Sequence, residues 1–432
     1  MVNKLLQLFR SRNAKLPVAI TPEFVQNSKA FCIFPWIHLH VTQLGTVTPC
    51  CQSPWDAAQS FGNINEQSVQ EIWNGKAMCD FRKKMMADVP DTRCSRCYAK
   101  EAVGLRSLRQ IFNHDYQHKL DWVNKTNANG YSAESKPIYW DIRFSNVCNF
   151  RCRICGPWSS SKWHKDAVSL GILPPDSPAF SMGVQDYNRL ITQLEPFLPY
   201  IEEVYFAGGE PLFIDEHYRI LKLLQDNNLY HVKLVYNTNF SVLEHKGFDI
   251  LSVWSKFQQV FIAASLDDSY QRAELQRKEQ NWQQTVNNRL LLLERCPNAT
   301  FLITPTVSVF NVFNLPNFHK EWTEKGLVDA ANFFPSMLSQ PEIYNIRILP
   351  RSLKEQVAQI YSEHINWLKE QPTQYPNHKE VQLKDFKHCI DYMLSENWEH
   401  LIPQFKQRCA ALDALRNEST ADLFPELSIL LD

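Results

Sequence analysis

Three cysteines on one short stretch constrain this chain more than any other feature of its sequence. Cys148, Cys152 and Cys155 have the spacing Cys-x3-Cys-x2-Cys. The stretch before them, 138–144, is rich in β-branched and aromatic residues and predicts a strand. The thiols therefore follow a strand end, where a short loop can wrap around an iron–sulfur cluster. Three ligands for a four-iron cluster leave one iron open to a further ligand.

The same spacing is compatible with a structural zinc knuckle or with a loop of free thiols. A zinc site needs a fourth ligand close by, and the next candidate, His164, lies nine residues beyond Cys155. The spacing therefore favours an iron–sulfur cluster.

Composition places the chain among globular proteins. Its 432 residues are 44% apolar and 21% charged, which is typical of two or three folded domains. The net charge is −1 and no apolar run could span a bilayer, so we expect no nucleic-acid partner and no membrane partner. Residues 1–15 lack the features of a secretory signal and predict a short amphipathic helix. Twelve cysteines without such a signal predict a cytoplasmic location, where clustered thiols bind metal.

From residue 138 onward, β-rich stretches alternate with helical patterns. Such alternation predicts parallel strands joined by helices, with functional residues at the C-terminal strand ends. The predicted strands span residues 138–144, 203–207, 232–236, 260–264, 301–309 and 331–334. The helical patterns between them include residues 184–198, 216–226 and 282–294.

A glycine pair follows the second of these strands, in the stretch Ala207-Gly208-Gly209-Glu210-Pro211. It is the only adjacent pair among the 12 glycines of the chain. Two glycines at a strand end let the backbone approach a ligand closely, and Glu210 adds a carboxylate beside them. Taken alone, the stretch is equally compatible with a tight turn. Its place one strand after the cysteine triplet favours a ligand site.

The cysteine triplet and the Gly-Gly-Glu stretch resemble the radical S-adenosylmethionine (SAM) superfamily. That family usually has an aromatic residue before the third cysteine, where this chain has Ile154. The resemblance implies an α/β fold with a partial (β/α)6 TIM-like barrel. It also implies a 4Fe-4S cluster, held by the triplet, that binds and cleaves SAM. The implied contacts to SAM are Gly208, Gly209, Glu210, Ser265, Asp267, Arg277 and Asn237. Ser265 and Asp267 are explained equally well as helix caps.

Four further cysteines form two pairs near the N-terminus, Cys32 with Cys50 and Cys94 with Cys97. Gly45 lies where a hairpin would turn and bring the first two together. Four thiols can close completely around one metal centre, which is either structural zinc or a second iron–sulfur cluster. The Cys-x2-Cys spacing by itself slightly favours zinc.

These four cysteines resemble the twitch module, a shortened SPASM domain of radical SAM enzymes, placed here before the barrel. The resemblance implies an auxiliary 4Fe-4S cluster ligated by Cys32, Cys50, Cys94 and Cys97. Without an open iron, such a cluster accepts an electron rather than binding substrate. Cys51 is a spare thiol that can replace Cys50 or lie behind it. His38 and His40 alternate on one strand face, either behind the ligands or, as we expect, in solvent.

Together these features predict four regions along the chain. They are an N-terminal arm (1–30), a twitch-like auxiliary iron–sulfur module (31–125), a radical SAM partial barrel (136–350) and a C-terminal helical region (351–432). In the last region Ser352 begins a predicted capping box. Apolar residues at helical spacing predict helices that pack against the barrel or cover its open side.

The resemblance implies a radical SAM oxidoreductase that abstracts hydrogen from a substrate while the auxiliary cluster accepts an electron. Related twitch and SPASM enzymes mostly modify peptide or protein side chains, which favours a peptide substrate. Oxidation of a small alcohol or sugar is the alternative within this class. A non-catalytic iron–sulfur or zinc protein, acting as a sensor or carrier, is the alternative from another class. An electron donor such as flavodoxin or ferredoxin is the expected partner.

Overall fold

Short strands form the framework of the protein. The computed structural model describes residues 19–54 and 57–432, so the amphipathic helix expected in residues 1–15 lies outside the described residues. The strands are β1 His38–Val41, β2 Thr46–Thr48, β3 Gly62–Asn63, β4 Tyr139–Ile142, β5 Glu203–Phe206, β6 Lys233–Thr238, β7 Glu244–His245, β8 Phe248–Asp249, β9 Val260–Ala264, β10 Ala299–Ile303, β11 Thr306–Val307 and β12 Ser336–Met337.

Helices connect these strands and make up the C-terminal part of the chain. They are α1 Pro22–Asn27, α2 Val69–Trp73, α3 Lys76–Met86, α4 Ser95–Ala102, α5 Leu108–Asp115, α6 Leu120–Asn124, α7 His164–Ser169, α8 Tyr187–Leu194, α9 Asp215–Asp226, α10 Ile250–Trp254, α11 Tyr270–Gln276, α12 Trp282–Arg295, α13 Leu315–Glu324, α14 Arg351–Glu370, α15 Pro376–Leu394, α16 Ile402–Arg416, α17 Thr420–Leu423 and α18 Ser428–Leu431. None of the helices in the described residues has both the length and the apolar character that crossing a membrane requires.

The chain forms two compact units, and each is built from two separate stretches of sequence. The first unit contains the described residues up to Ser145 together with Met182–Phe206. The second unit contains Asn146–Ser181 and Ala207–Asp432. The four regions drawn from the sequence stay a prediction about domain boundaries.

In the first unit the strand order is β5-β4-β1-β2-β3. The pairs β1–β4 and β4–β5 are parallel, whereas β1–β2 and β2–β3 are antiparallel. The β1–β2 hairpin turns at Gly45, as the sequence predicted, and the φ of 78° at this residue suits glycine. Trp36, Trp140 and Phe81 are fully buried and form part of the core.

In the second unit β6, β9 and β10 run parallel, with β9 in the middle. The strand predicted for residues 260–264 coincides with β9. Trp254, Trp322 and Tyr236 are fully buried among the strands and helices of this unit. Both units therefore combine parallel strands with helices, which confirms the α/β class and the helical C-terminal region.

The strand predicted for residues 331–334 is wrong. These residues are described, and one isolated bridge between Phe333 and Ile303 is their only ladder contact. Pro335 follows directly and has no backbone N–H to continue the ladder. The pairing resumes one residue later, in β12.

The capping box predicted at Ser352 is also wrong. Helix α14 already begins at Arg351, directly after Pro350. Ser352 therefore lies within the first turn, where its side chain cannot act as the N-terminal cap. The apolar face of the helix is confirmed, because Val357, Tyr361 and Leu368 are buried.

Candidate functional site

The cysteine triplet lies on a loop of the second unit that is held by hydrogen bonds from its own neighbours. Cys148 and Cys152 are buried and Cys155 is half-buried. The Trp163 indole donates to the Cys152 carbonyl over 2.7 Å, and the Cys155 amide donates to the same carbonyl over 3.1 Å. These hydrogen bonds fix the backbone of the loop at Cys152 and Cys155.

The electrostatics of these thiols fit a positively charged iron–sulfur core. Burial raises the pKa of Cys148 to about 12, and the charge of Cys152 adds to this. A hydrogen bond between Cys152 and Cys155 raises the pKa of the first and lowers that of the second. The Arg277 guanidinium lies 3.9 Å from the Cys152 sulfur and favours its thiolate. As thiolates, three sulfurs this buried would repel one another unless a cationic centre were bound between them.

The glycine pair packs directly against the cysteine loop. Gly209 has a φ of 57°, and a Cβ placed on it would lie 2.1 Å from the Val147 carbonyl oxygen. The Glu210 amide donates to the same oxygen over 2.9 Å. Only glycine permits this approach, which brings the Glu210 carboxylate near enough to raise the pKa of Cys148.

Glu210 is almost completely buried and is held in place by donors. It accepts hydrogen bonds from the Thr238 hydroxyl and the Asn239 amide, both over 2.6 Å, and from the Leu212 amide over 3.1 Å. Burial raises the pKa of Glu210 to about 7, although these hydrogen bonds oppose the rise. A cationic group bound at this carboxylate would restore its charge.

At the end of β6, the predicted SAM contact Asn237 and the two residues after it differ in burial. Asn237 is exposed, whereas Thr238 and Asn239 are buried beside Glu210. The Asn239 amide group also donates to the Asn149 side chain over 2.8 Å, which ties β6 to the cysteine loop. Side chains alternate between the two faces of a strand, so Thr238 shares a face with Tyr236 and Asn237 lies on the other face. The burial of Tyr236 could therefore have indicated Thr238.

The end of β9 brings Asp267 and Arg277 together. The two side chains form an ion pair at 2.8 Å, and Asp267 also accepts a hydrogen bond from the Thr306 amide over 2.8 Å. Burial opposes the charge on Arg277, but Asp267 outweighs this and holds the pKa of Arg277 above its usual value. Ser265 lies half-buried at the same strand end, and its amide donates to the Thr238 carbonyl over 2.8 Å.

An anchor that the sequence did not reveal fixes the cysteine loop from the C-terminal helices. Arg153 is fully buried and donates to the carboxylates of Asp413, on α16, and Glu418, the latter over 2.7 Å. Asp166 on α7 accepts from Arg151 and from Arg416, each over 2.9 Å. These partners lie up to 265 residues apart, so no local motif indicates them.

The four N-terminal cysteines meet in the first unit. Cys32, Cys50, Cys94 and Cys97 line one pocket. Burial raises the pKa of Cys32, Cys50 and Cys94, and repulsion between neighbouring thiolates raises it further. Such a set fits a fully ligated iron–sulfur cluster.

Cys51 lies beside this group, and its charge interacts with that of Cys97. It is absent from the residues that line the pocket, and the charges acting on its thiol come first from Asp141 and Arg143. Cys79 lies apart and donates to the Asn74 carbonyl over 3.3 Å. A residue that sequence reasoning missed, Arg109, lines the pocket and places a positive charge near Cys32.

Two stretches of the chain match models of known protein families. Residues 32–98 match the SPASM iron–sulfur cluster-binding domain, and residues 142–322 match the radical SAM superfamily. No curated protein sequence matches the chain.

Solved structures of two SAM-bound proteins are similar to the chain at low identity. Native anSMEcpe with bound AdoMet and Cp18Cys peptide is 15% identical over 52% of this chain and 56% of that chain, with a TM-score of 0.36. Streptococcus suis SuiB bound to S-adenosylmethionine is 12% identical over 77% of this chain and 69% of that chain, with a TM-score of 0.37. The chain thus spans just over half the length of the anSMEcpe chain.

Proposed function

This chain carries a radical SAM domain and a SPASM-type iron–sulfur cluster-binding domain, and we propose that it is a radical SAM oxidoreductase acting on a peptide or protein side chain. When bound together, the 4Fe-4S cluster and SAM supply a 5′-deoxyadenosyl radical that abstracts hydrogen from carbon. The residues of the second unit bind and orient these groups. Those of the first unit hold an auxiliary 4Fe-4S cluster.

The observation that carries the proposal is the contact between the glycine pair and the cysteine loop. Gly209 lies against the Val147 carbonyl, so Glu210 is fixed beside Cys148. A buried carboxylate there suits the amino group of the methionyl part of SAM. The positive amino group in turn removes the cost of burying the charge of the carboxylate. A metal-binding sensor or carrier has no use for such a group.

The other site residues have supporting roles in this proposal. Arg277 lies between Asp267 and the Cys152 sulfur, where its charge favours thiolate ligands and suits the SAM carboxylate. Thr238 and Asn239 hold the Glu210 carboxylate in position.

We assign the auxiliary cluster to four cysteines of the first unit. Its ligands in this assignment are Cys32, Cys50, Cys94 and Cys97. Because they leave no iron open, this site is suited to accept the electron that the substrate radical loses. A reduced flavodoxin or ferredoxin would supply the electron that starts each turnover.

SAM cleavage by the anaerobically reconstituted, reduced protein tests the proposal. We expect the wild-type protein to form 5′-deoxyadenosine and Cys148→Ala to form none. Cys94→Ala is the matched control, because it removes a ligand of the other site and should still cleave SAM. An iron-loaded wild-type protein that forms no 5′-deoxyadenosine would contradict the proposal.

The substrate class is tested by following deuterium. Reduced enzyme and SAM are incubated with perdeuterated peptides and, in parallel, with perdeuterated sugars and alcohols. A peptide substrate transfers deuterium into 5′-deoxyadenosine only in the first mixture. Transfer only in the second mixture would show that the substrate is a small molecule and not a peptide.

A further inference from the structure

Two neighbouring strands of the first unit place two histidines and an aspartate side by side. The parallel register of β1 and β4 sets His40 opposite Asp141, and His38 lies two residues before His40 on the same face. All three side chains are buried, with at most 4% of each residue exposed. The expectation that both histidines lie in solvent is therefore wrong.

Each imidazole has at least one ring nitrogen without a hydrogen-bond partner in the described residues. His38 Nδ1 lies 3.2 Å from the Pro49 carbonyl oxygen, and His40 Nδ1 lies 2.9 Å from Asp141 Oδ2. The Nε2 atoms of both residues are buried and have no hydrogen-bond partner in the described residues. Leaving such buried atoms unpaired is costly, so each of them calls for a partner.

The contact of His38 with the Pro49 carbonyl is typical of histidines that bind metal. Metal-ligating histidines usually donate their second ring N–H to a carbonyl or a carboxylate, which fixes the ring and directs its lone pair. One nitrogen from each histidine and one oxygen of Asp141 lie within 4.8 Å of one another. Three protein ligands at this spacing can surround one ion and leave a position open.

We propose that His38, His40 and Asp141 form a site for one divalent transition-metal cation of the zinc class. Imidazole and carboxylate ligands suit such ions. The site is separate from the four cysteines that line the auxiliary pocket, and the proposal does not depend on SAM chemistry.

Two neighbours set the charge around the site. Arg143 pairs with both oxygens of Asp141, at 2.6 and 3.1 Å, and its positive charge opposes a cation. Cys51, the thiol left over from the auxiliary pocket, lies close enough to Asp141 for their charges to interact. Cys51 does not belong to the group of potential ligand atoms, so the proposed site has three protein ligands.

Metal content of the full-length protein tests the proposal. The anaerobically reconstituted protein, with both clusters loaded, is given one equivalent of Zn²⁺, desalted and analysed for zinc and iron. We expect about one zinc per chain in the wild-type protein, since one set of ligands is present. His40→Gln should retain at least tenfold less zinc with unchanged iron. His114→Gln, at an exposed histidine of the same unit, is the control and should behave like the wild type.

X-ray absorption at the zinc edge of the wild-type protein decides which site the ion occupies, whether or not the variants fold. The proposal predicts imidazole ligands at about 2.0–2.1 Å, with at most one sulfur. A shell made only of sulfur would place the zinc in a cysteine site and overturn the proposal. A wild-type protein that retains no zinc would overturn it as well.

Discussion

Glu210 is a buried carboxylate whose charge matters to the proposed function. Three donors surround its carboxylate, yet burial still raises its pKa to about 7. The site is therefore incomplete without a further positive group. In the proposed function that group is the methionyl amine of SAM.

Replacing Glu210 by Gln tests this role. The substitution keeps the size of the side chain and removes the charge. A hydrogen bond to a charged group contributes about 1.5–3 kcal/mol, so SAM affinity should fall at least about tenfold. Equilibrium dialysis of the iron-loaded protein measures it, with the exposed Glu244→Gln as control. Equal affinities for both variants would rule out a charged contact.

Gly209 and Gly171 offer a matched pair of substitutions. Both have positive φ, 57° and 67°, but a Cβ on Gly209 would meet the Val147 carbonyl, whereas nothing lies within 4 Å of one on Gly171. Alanine costs about 1–2 kcal/mol of backbone strain at either position. Only Gly209→Ala should also lower cluster loading and SAM cleavage. Comparable losses in both variants would show that strain, not the close approach, is responsible.

At this scale, local motifs were predictable and long-range partners were not. The cysteine triplet and Gly-Gly-Glu are contiguous, so spacing alone indicates them. Thr238 is recognisable only when the phase of β6 is known, and the predicted residue, Asn237, has the opposite phase and is exposed. The role of Arg153 can be recognised only when its distant ion-pair partners are known.

Helix α16 is the element that holds the cysteine loop. Asp413 on this helix accepts from Arg153, in the middle of the triplet, and from the Thr420 amide over 2.7 Å. Arg416, one turn further on, pairs with Asp166 at 2.8 Å and covers the ring of Trp163 at 4.9 Å. The C-terminal helices thus support the cysteine loop in addition to packing within the second unit.

Asp413→Asn tests this support. The substitution leaves the buried Arg153 with weaker partners, and losing one partner of a buried pair costs up to about 3–5 kcal/mol. We expect a chelator to extract iron from the triplet roughly five- to thirtyfold faster, which corresponds to a loss of about 1–2 kcal/mol. Asp391→Asn, on an exposed face of α15, is the control. Unchanged extraction in Asp413→Asn would mean that the anchor is dispensable.

Elements were predicted best where burial and periodicity agreed. Residues 260–264 form a fully apolar strand and coincide with β9, and residues 216–226 fall within α9. The errors at residues 331–334 and at Ser352 both lie beside a proline, where a missing N–H or a fixed φ outweighs the side-chain pattern.

At the scale of the whole molecule, the two cysteine sets that are proposed to hold clusters belong to different compact units. The sequence predicted the α/β class from the alternation of elements. It could not predict that each unit is made of two separate stretches of sequence, because the unit to which a stretch belongs depends on which strands pair. Each set of thiols is complete within its own unit, and the two should load independently.

Iron content tests this independence. With two four-iron clusters, Cys148→Ala and Cys94→Ala should each lose about half of the iron, and the double variant nearly all of it. Iron and sulfide analysis after anaerobic reconstitution provides the measurement. If either single substitution empties both sites, the two sets do not load separately.

In the proposed function, the cysteine triplet leaves one iron of its cluster open for SAM. Electron paramagnetic resonance of the reduced protein, with SAM isotopically labelled at its carboxylate, tests it most directly. The account predicts a hyperfine coupling between the label and the cluster in the wild-type protein and in Cys94→Ala, and none in Cys148→Ala. A reduced, iron-loaded wild-type protein whose spectrum is unchanged by labelled SAM would contradict it.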